Sequence, residues 1–234
     1  MRPQHKSDLT RKRILDAARK LFNENGTSHV STNLIARELG ISPGNLYYHY
    51  RNKEEIIREL YLECSSYQDS TWNKDIGAEG NLMRMRSNLV EATRLSWKYR
   101  FVEREILALT EIDPELKSIY LENYRQRLAL SVRLGEQLDS IGALRYPVSS
   151  VVCKDVMIAV WLVFQSWITF LDVTGNPEDS VQVQRGADIV LAILKPYLSA
   201  KGLKILGRSS SFLSSDKDMM LGDSLRKLSQ NVRT

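Results

Sequence analysis

An all-α fold follows from three features of the sequence. Apolar side chains recur at i, i+3, i+4 and i+7 in one segment after another, no run of useful length alternates apolar with polar residues, and glycine or proline marks the joints between segments. The chain has 234 residues, 43% of them hydrophobic and 26% charged, so it holds enough apolar material for a large core and is not disordered as a whole.

The first segment carries Ile14, Ala17, Ala18, Leu21 and Phe22 on one face, which predicts an amphipathic helix over about 10–25 with Gly26 as its stop. Its polar face holds Arg11, Lys12, Arg19 and Lys20. Ser31 then serves as an N-cap for a short helix that buries Ile35 and Leu39, and Gly40 ends it with a left-handed residue. After only Gly40 and Ile41, Ser42 followed by Pro43 opens a third helix, about 43–48, because proline at the first helical position loses no hydrogen bond. Leu46 and Tyr50 fall on the inward side. Asn52 caps a fourth helix, with Glu55 able to reach back as in a capping box and Ile56, Ile57, Leu60 and Tyr61 as the buried stripe.

Two short helices joined by a tight glycine turn and preceded by a longer one form the helix-turn-helix layout, whose second member lies in a DNA major groove. The third helix has suitable chemistry. Asn45 can both donate to and accept from an adenine edge, Tyr47 and His49 reach phosphates or bases, and Pro43 and Gly44 allow close approach to thymine methyls. Lys53 stands where a helix N-terminus and an ammonium jointly favour a phosphate.

Charge distribution agrees. Residues 1–60 carry net +4, residues 61–200 net −3 and residues 201–234 net +4. A basic head on an acidic body predicts contact with a polyanion through the head.

Within this frame, the run STNLIARELGISPGNLYYHYRNKEEII resembles the DNA-binding domain of the TetR family of one-component bacterial regulators, whose pattern includes T-x-x-x-I-A, G-V-S, L-Y-x-H-F and x-x-K-x-x-L. Ser31 replaces the usual Thr and Tyr50 the usual Phe. The resemblance covers about residues 10–60. It implies double-stranded DNA contacts at Thr32, Asn33, Pro43, Gly44, Asn45, Tyr47, His49 and Lys53. It further implies a larger helical domain that binds a small-molecule effector and forms a homodimer, so that two heads read a palindromic operator.

Beyond the head, helices are expected near 80–104, 103–111, 114–140, 150–173 and 179–199, punctuated by Pro114, Gly142, Pro147, Gly175 and Pro177. The predicted organisation is a DNA-binding domain over 1–60, an effector-binding and dimerisation domain over 61–200, and a basic tail over 201–234 that is partly disordered or docks as a helix around Leu221, Leu225, Leu228 and Val232. Candidate effector contacts are the large rings Trp97, Tyr120, Tyr124, Trp161, Phe164 and Trp167, with Arg94, Arg104 and Arg125 nearby to pair an anion. The stripe Val183, Ala187, Val190, Leu194 and Leu198 is the candidate dimer face. The apolar run over 156–171, shorter than the roughly 20 residues of a membrane span and fenced by Asp155 and Asp172, reads as a core or interface helix.

No enzyme signature is present: there is no G-x-G-x-x-G, P-loop, G-x-S-x-G or H-E-x-x-H, and no histidine follows His49. No cofactor or metal site is expected. Cys64 and Cys153 are far apart without histidine neighbours and read as free thiols. The basic, polar N-terminus lacks a signal-peptide core, which predicts a cytoplasmic protein. The expected function is a repressor released from its operator by an effector; an activator, or a DNA-associated adaptor controlled by a partner protein, are the alternatives, and a cavity of several hundred Å³ would favour the effector.

Overall fold

Side-chain caps open several of the helices. Ser31 Oγ accepts from Leu34 N at 3.2 Å and Ser42 Oγ from Asn45 N at 3.2 Å. Asn52 Oδ1 accepts from Glu55 N at 2.9 Å, Asp113 Oδ1 from Glu115 N and Leu116 N at 3.1 Å each, and Ser199 Oγ from Gly202 N at 3.2 Å. Between such starts a computed structural model, which describes residues 3–72, 76–146, 151–174 and 180–208, places α1 (Pro3–Asn25), α2 (Thr32–Leu39), α3 (Pro43–His49), α4 (Lys53–Trp72) and α5 (Gly77–Lys98). They are followed by α6 (Arg100–Ile112), α7 (Pro114–Ser140), α8 (Val151–Thr174), α9 (Ser180–Leu194) and α10 (Ala200–Gly207). Among the described residues there is no strand, only one isolated bridge between Leu144 and Leu198. The fold is all-α.

The head packs α1, α2, α3 and the first turns of α4 around Ile14, Phe22, Ile35, Leu46, Ile56 and Leu60, all fully buried. This core continues without a break into Phe101, Val102, Leu109 and Leu116, so α6 and the start of α7 belong to the same packed unit. A second core, built on Leu82, Leu89, Leu138, Val190, Leu191 and Ile205, joins α5, the end of α7, α9 and α10.

Several elements differ from the sequence reading. Glu55 reaches back to Arg51 N at 2.8 Å, one residue before the cap expected for it. Helix α4 runs through residue 60 without interruption, so the head and body share a helix. Helices α5 and α6 break at Tyr99 with neither glycine nor proline to mark it. The break is held from a distance: Asn23 Nδ2 donates to Lys98 O at 2.9 Å and its Oδ1 accepts from Phe101 N at 3.1 Å. A side chain of α1 thus satisfies one orphaned group at each of the two helix ends.

Residues 201–207, assigned to the tail by composition, form most of α10, with Gly202, Ile205 and Leu206 buried. Gly202 is needed there, because a Cβ would come within 2.2 Å of Ala143 O. The leucine-rich segment around Leu221 lies outside the described residues.

The expected dimer stripe is also corrected. Ala187 and Val190 are fully buried and Leu198 nearly so, all in the subunit's own second core, while Leu194 packs beside them; the side chain of Val183 lies outside the described ones. Periodicity identifies the apolar side of α9 but not what covers it, and here α5 and α8 do. The outward apolar residues are instead Ile158, Leu162, Phe170 and Val173 of α8, with Val181 of α9. By length and composition Asp155–Thr174, with mean hydropathy 1.8, is long and apolar enough to cross a membrane. In the fold Val156, Ile168 and Leu171 of this stretch are buried within the bundle.

Candidate functional site

The reading head is oriented by its turn. Gly40 takes φ 65°, and Ile41 N donates to Ala36 O at 3.0 Å, which closes α2 and sets the direction in which α3 leaves. Inward-facing Leu46 and Tyr50 fix the rotation of α3, so that Pro43, Gly44, Asn45, Tyr47 and Tyr48 are exposed and His49 is half-buried. On α2, Asn33 is exposed and Thr32 half-buried. Thr32 Oγ1 and Tyr47 OH share a hydrogen bond of 3.1 Å across the two helices. Thr32, Tyr47 and Lys53 line one shallow depression together with Ser31, Arg51 and Asn52, whereas Pro43, Gly44, Asn45 and His49 lie outside it. The most exposed ring of α3 is Tyr48, 81% accessible and edge-on to His49, a residue the sequence reading placed in the helix without a role.

Lys53 is engaged within the fold. Its Nζ donates to Thr27 O at 2.6 Å, tying the start of α4 to the 3-10 turn Thr27–His29. The other side of that turn is held by α6: Glu105 Oε2 accepts from Thr27 N at 3.0 Å and from Thr27 Oγ1 at 2.6 Å. Arg104 donates to Phe22 O at 2.9 Å and Asn23 O at 3.3 Å, capping the end of α1, and pairs with Asp172 of α8 at 2.9 Å. Asp172 also takes Arg100 at 3.2 Å. Arg104 is therefore spent on the joint between head and body and does not face an effector, while Arg94 and Arg125 are exposed. No local signal marks Asn23, Arg104 or Glu105, because their partners lie some 70 to 80 residues away.

The body encloses a cavity of about 450 Å³ between α4, α5, α6, α7, α8 and α9. Tyr120, Trp161 and Phe164 line it as expected of them. Three other expected rings do not: Tyr124 packs on Trp161 at 4.9 Å, Trp97 carries the Arg100 guanidinium at 4.9 Å, and Trp167 faces Gly186, where a Cβ would meet its ring at 2.4 Å. Six aromatic positions at helical spacing were equivalent in sequence, and only helix rotation separates them.

Most of the wall is aliphatic, including Leu89, Leu130, Leu134, Val160 and Leu191. One end is polar. There Glu103, Gln165, Tyr120, Arg127 and Ser65 converge, none of them an expected contact except Tyr120. Gln165 Nε2 donates to Tyr120 OH at 2.9 Å, Arg127 Nη2 to Ser65 Oγ at 3.0 Å, and Asn123 Nδ2 to Ser65 Oγ at 2.9 Å. The accessible part of Glu103 faces the cavity, away from bulk water, and burial pushes its carboxyl up to about 6 against the opposing effects of Gln165 and Arg127. Burial likewise pushes the Cys64 thiol up to about 12, so it is an unreactive part of the wall.

Comparison with known proteins bears on both regions. The family model described as bacterial regulatory proteins, tetR family, matches residues 14–60, and one described as a bacterial transcriptional repressor matches residues 73–206. The HTH-type transcriptional regulator UidR of Escherichia coli (strain K12) is 30% identical over 116 residues, 50% of this chain and 59% of that one. The chain thus spans 59% of the length of the curated relatives first matched. Among solved structures, a TetR-family transcriptional regulator from Marinobacter aquaeolei VT8 is 31% identical, with a TM-score of 0.75 over 86% of this chain and 98% of that one. A SmeT–triclosan complex shares the fold at 18% identity, with a TM-score of 0.60 over 83% of this chain and 94% of that one. Residues 14–60 and 73–206 together carry both halves of one architecture, and the chain belongs to the TetR family of helix-turn-helix, DNA-binding transcriptional regulators.

Proposed function

We propose that the chain acts in the cytoplasm as a homodimeric repressor that binds a palindromic operator and leaves it when a small molecule enters the body cavity. The observation that carries this reading is the sequence of three neighbours on α6. Glu103 lines the cavity, while Arg104 and Glu105 grip the end of α1 and the Thr27 turn of the head. A ligand that displaces α6 has a packed and hydrogen-bonded route to Lys53 through Thr27, and by linkage DNA then weakens the ligand in equal measure. The cavity favours an effector over control by a partner protein alone, since about 450 Å³ is in the range of small-molecule sites.

In the head, Asn33, Pro43, Gly44, Asn45, Tyr47 and His49 meet the major groove, joined by Tyr48; Thr32 positions Tyr47, and Lys53 supports the phosphate contact made at the start of α4. The dimer face is the outward stripe Ile158, Leu162, Phe170 and Val173, which a second copy would cover with the same stripe about a two-fold axis. The stripe also crosses exposed Ser166, and exposed Leu162 lies within it.

Selection of duplexes from a random pool by the full chain tests this reading. The expected product is an inverted repeat with half-sites one DNA turn, roughly 34–36 Å, or a multiple apart. Leu162→Asp should yield monomers that no longer select it. Recovery of unpaired half-sites only, by a monomeric wild-type chain, would overturn the dimeric repressor, and a promoter reporter that falls when the gene is deleted would replace repression by activation.

A further inference from the structure

Resting on the reading of the cavity as the effector site, we infer that its ligand is an elongated hydrocarbon with a positively charged amine at one end, the amine held against Glu103.

Shape comes first. Lining residues on α7 run from Tyr120 to Leu138, about 27 Å of helix, and those on α5 from Asn81 to Ala92, about 16 Å, at ~1.5 Å rise per residue. A volume near 450 Å³ lined over such a length accommodates a chain. The far end meets exposed Arg133, Gln137 and Tyr146, which gives a chain its way in. Between the ends the wall is mainly Leu130, Leu134, Val160 and Phe164, with Asn81 and Ser131 as polar exceptions.

Charge decides the head group. Arg127 has already given an N–H to Ser65 and stands as partial counterweight to Glu103. An anion placed at this end would meet the Glu103 carboxylate as well as Arg127, beside the rings of Tyr61, Tyr120 and Trp161, whose centroids lie 6.0 and 6.5 Å apart in succession. Aromatic faces are negative and attract cations. Glu103 remains under-compensated by Gln165 and Arg127, as its raised value of about 6 indicates, and at neutral pH an ammonium supplies what those two do not. An alcohol of the same length would fill the chain volume and leave the buried charge as it was.

Calorimetric titration of the full-length chain at pH 7.5 with decylamine, decanoate and decanol, each below aggregation, separates these cases. Decylamine should bind at least tenfold more tightly than decanoate, and Glu103→Gln should weaken decylamine by tenfold or more while changing decanol less than about twofold. If Glu103→Gln melts early, Trp161→Leu, which removes one ring face, carries the same test. Tighter decanoate, or amine binding indifferent to both substitutions, overturns the amine and leaves the cavity as an effector site. Amine binding that survives Val160→Trp, which fills the chain volume, places the amine elsewhere and overturns the inference. No binding by any of the three removes the ligand class and the effector cavity beneath it together.

Discussion

The head and the body are made of the same kind of helix, yet they fill space to opposite ends. In the head, α1 to α4 close completely on Ile14, Ile35, Leu46 and Ile56, leaving only its outer face to act. The body's α5, α7 and α8 stand apart around a cavity and keep a carboxylate beside it. On the proposed reading, a surface that meets DNA needs a rigid frame, because a small rotation of α3 would move Asn45 away from a base edge. A switch needs somewhere for a ligand to enter.

The contrast predicts unequal responses to the same substitution. Ile35→Ala removes a fully buried side chain from a site with no room to relax and should cost about 2–5 kcal/mol in denaturant unfolding. Leu134→Ala, on the partly buried wall of the cavity, loses fewer contacts and should cost less than about 1.5 kcal/mol. Equal losses at the two positions would mean that the body is packed as tightly as the head.

The next effect is confined to the head. Asn45 is exposed, so Asn45→Ala should leave the thermal melt within about 0.5 kcal/mol. Discrimination between the selected operator and a duplex altered at one contacted base pair should fall by about 1–3 kcal/mol in competition binding. Lys53→Ala should instead weaken all duplexes alike, and it should also loosen the head, since Lys53 holds Thr27 O. A base-specific effect of Lys53 would exchange the two roles.

How far each region was legible follows from the range of its interactions. The head could be read almost residue by residue because its signals are local: Ser31 and Gly40 bracket α2, Ser42 and Pro43 open α3, and the inward pair Leu46 and Tyr50 sets the exposed face. The body is organised by distant partners. Asn23 defines the break at Tyr99, and Glu105 finds Thr27, with nothing in the neighbouring sequence to announce either. Aromatic spacing selected Tyr120, Trp161 and Phe164 but equally Trp97, Tyr124 and Trp167, and the stripe through Ala187 and Val190 was apolar for the subunit's own sake. Glu103 was one acidic residue among many until α6 turned it toward the cavity.

That residue gives the body a pH response. Glu103 has an ordinary value of 4.5 and is raised to about 6 in the fold, facing Tyr61 and Cys64 of α4, Tyr120 and Arg127 of α7 and Gln165 of α8. Between these values the folded chain keeps a proton that the unfolded chain has released, so stability falls as pH rises from about 4.5 to 6 and levels off above. The fall is on the order of 2 kcal/mol at ~1.4 kcal/mol per unit. Glu103→Gln should flatten this part of the curve, measured as the difference in urea midpoint between pH 4.5 and 7; an unchanged slope would place the carboxylate in contact with water.

The smallest effect tests how rigid the head must be. Tyr47→Phe keeps the ring and deletes only the hydroxyl that meets Thr32 Oγ1 at 3.1 Å. Both residues lie at the surface, where water replaces the lost partner, so unfolding should change by less than about 0.5 kcal/mol. Binding is different, because the bond joins α2 to α3 and holds the Tyr47 ring before DNA arrives. Without it that order must be imposed at the moment of contact, and operator affinity should fall by about 0.5–1.5 kcal/mol, roughly two- to tenfold, in fluorescence anisotropy. Thr32→Val should give a similar loss, and the double variant no more than either alone, if the bond acts by positioning. Additive losses would mean that each hydroxyl meets its own phosphate, and the head would then read DNA through two independent contacts instead of one prearranged pair.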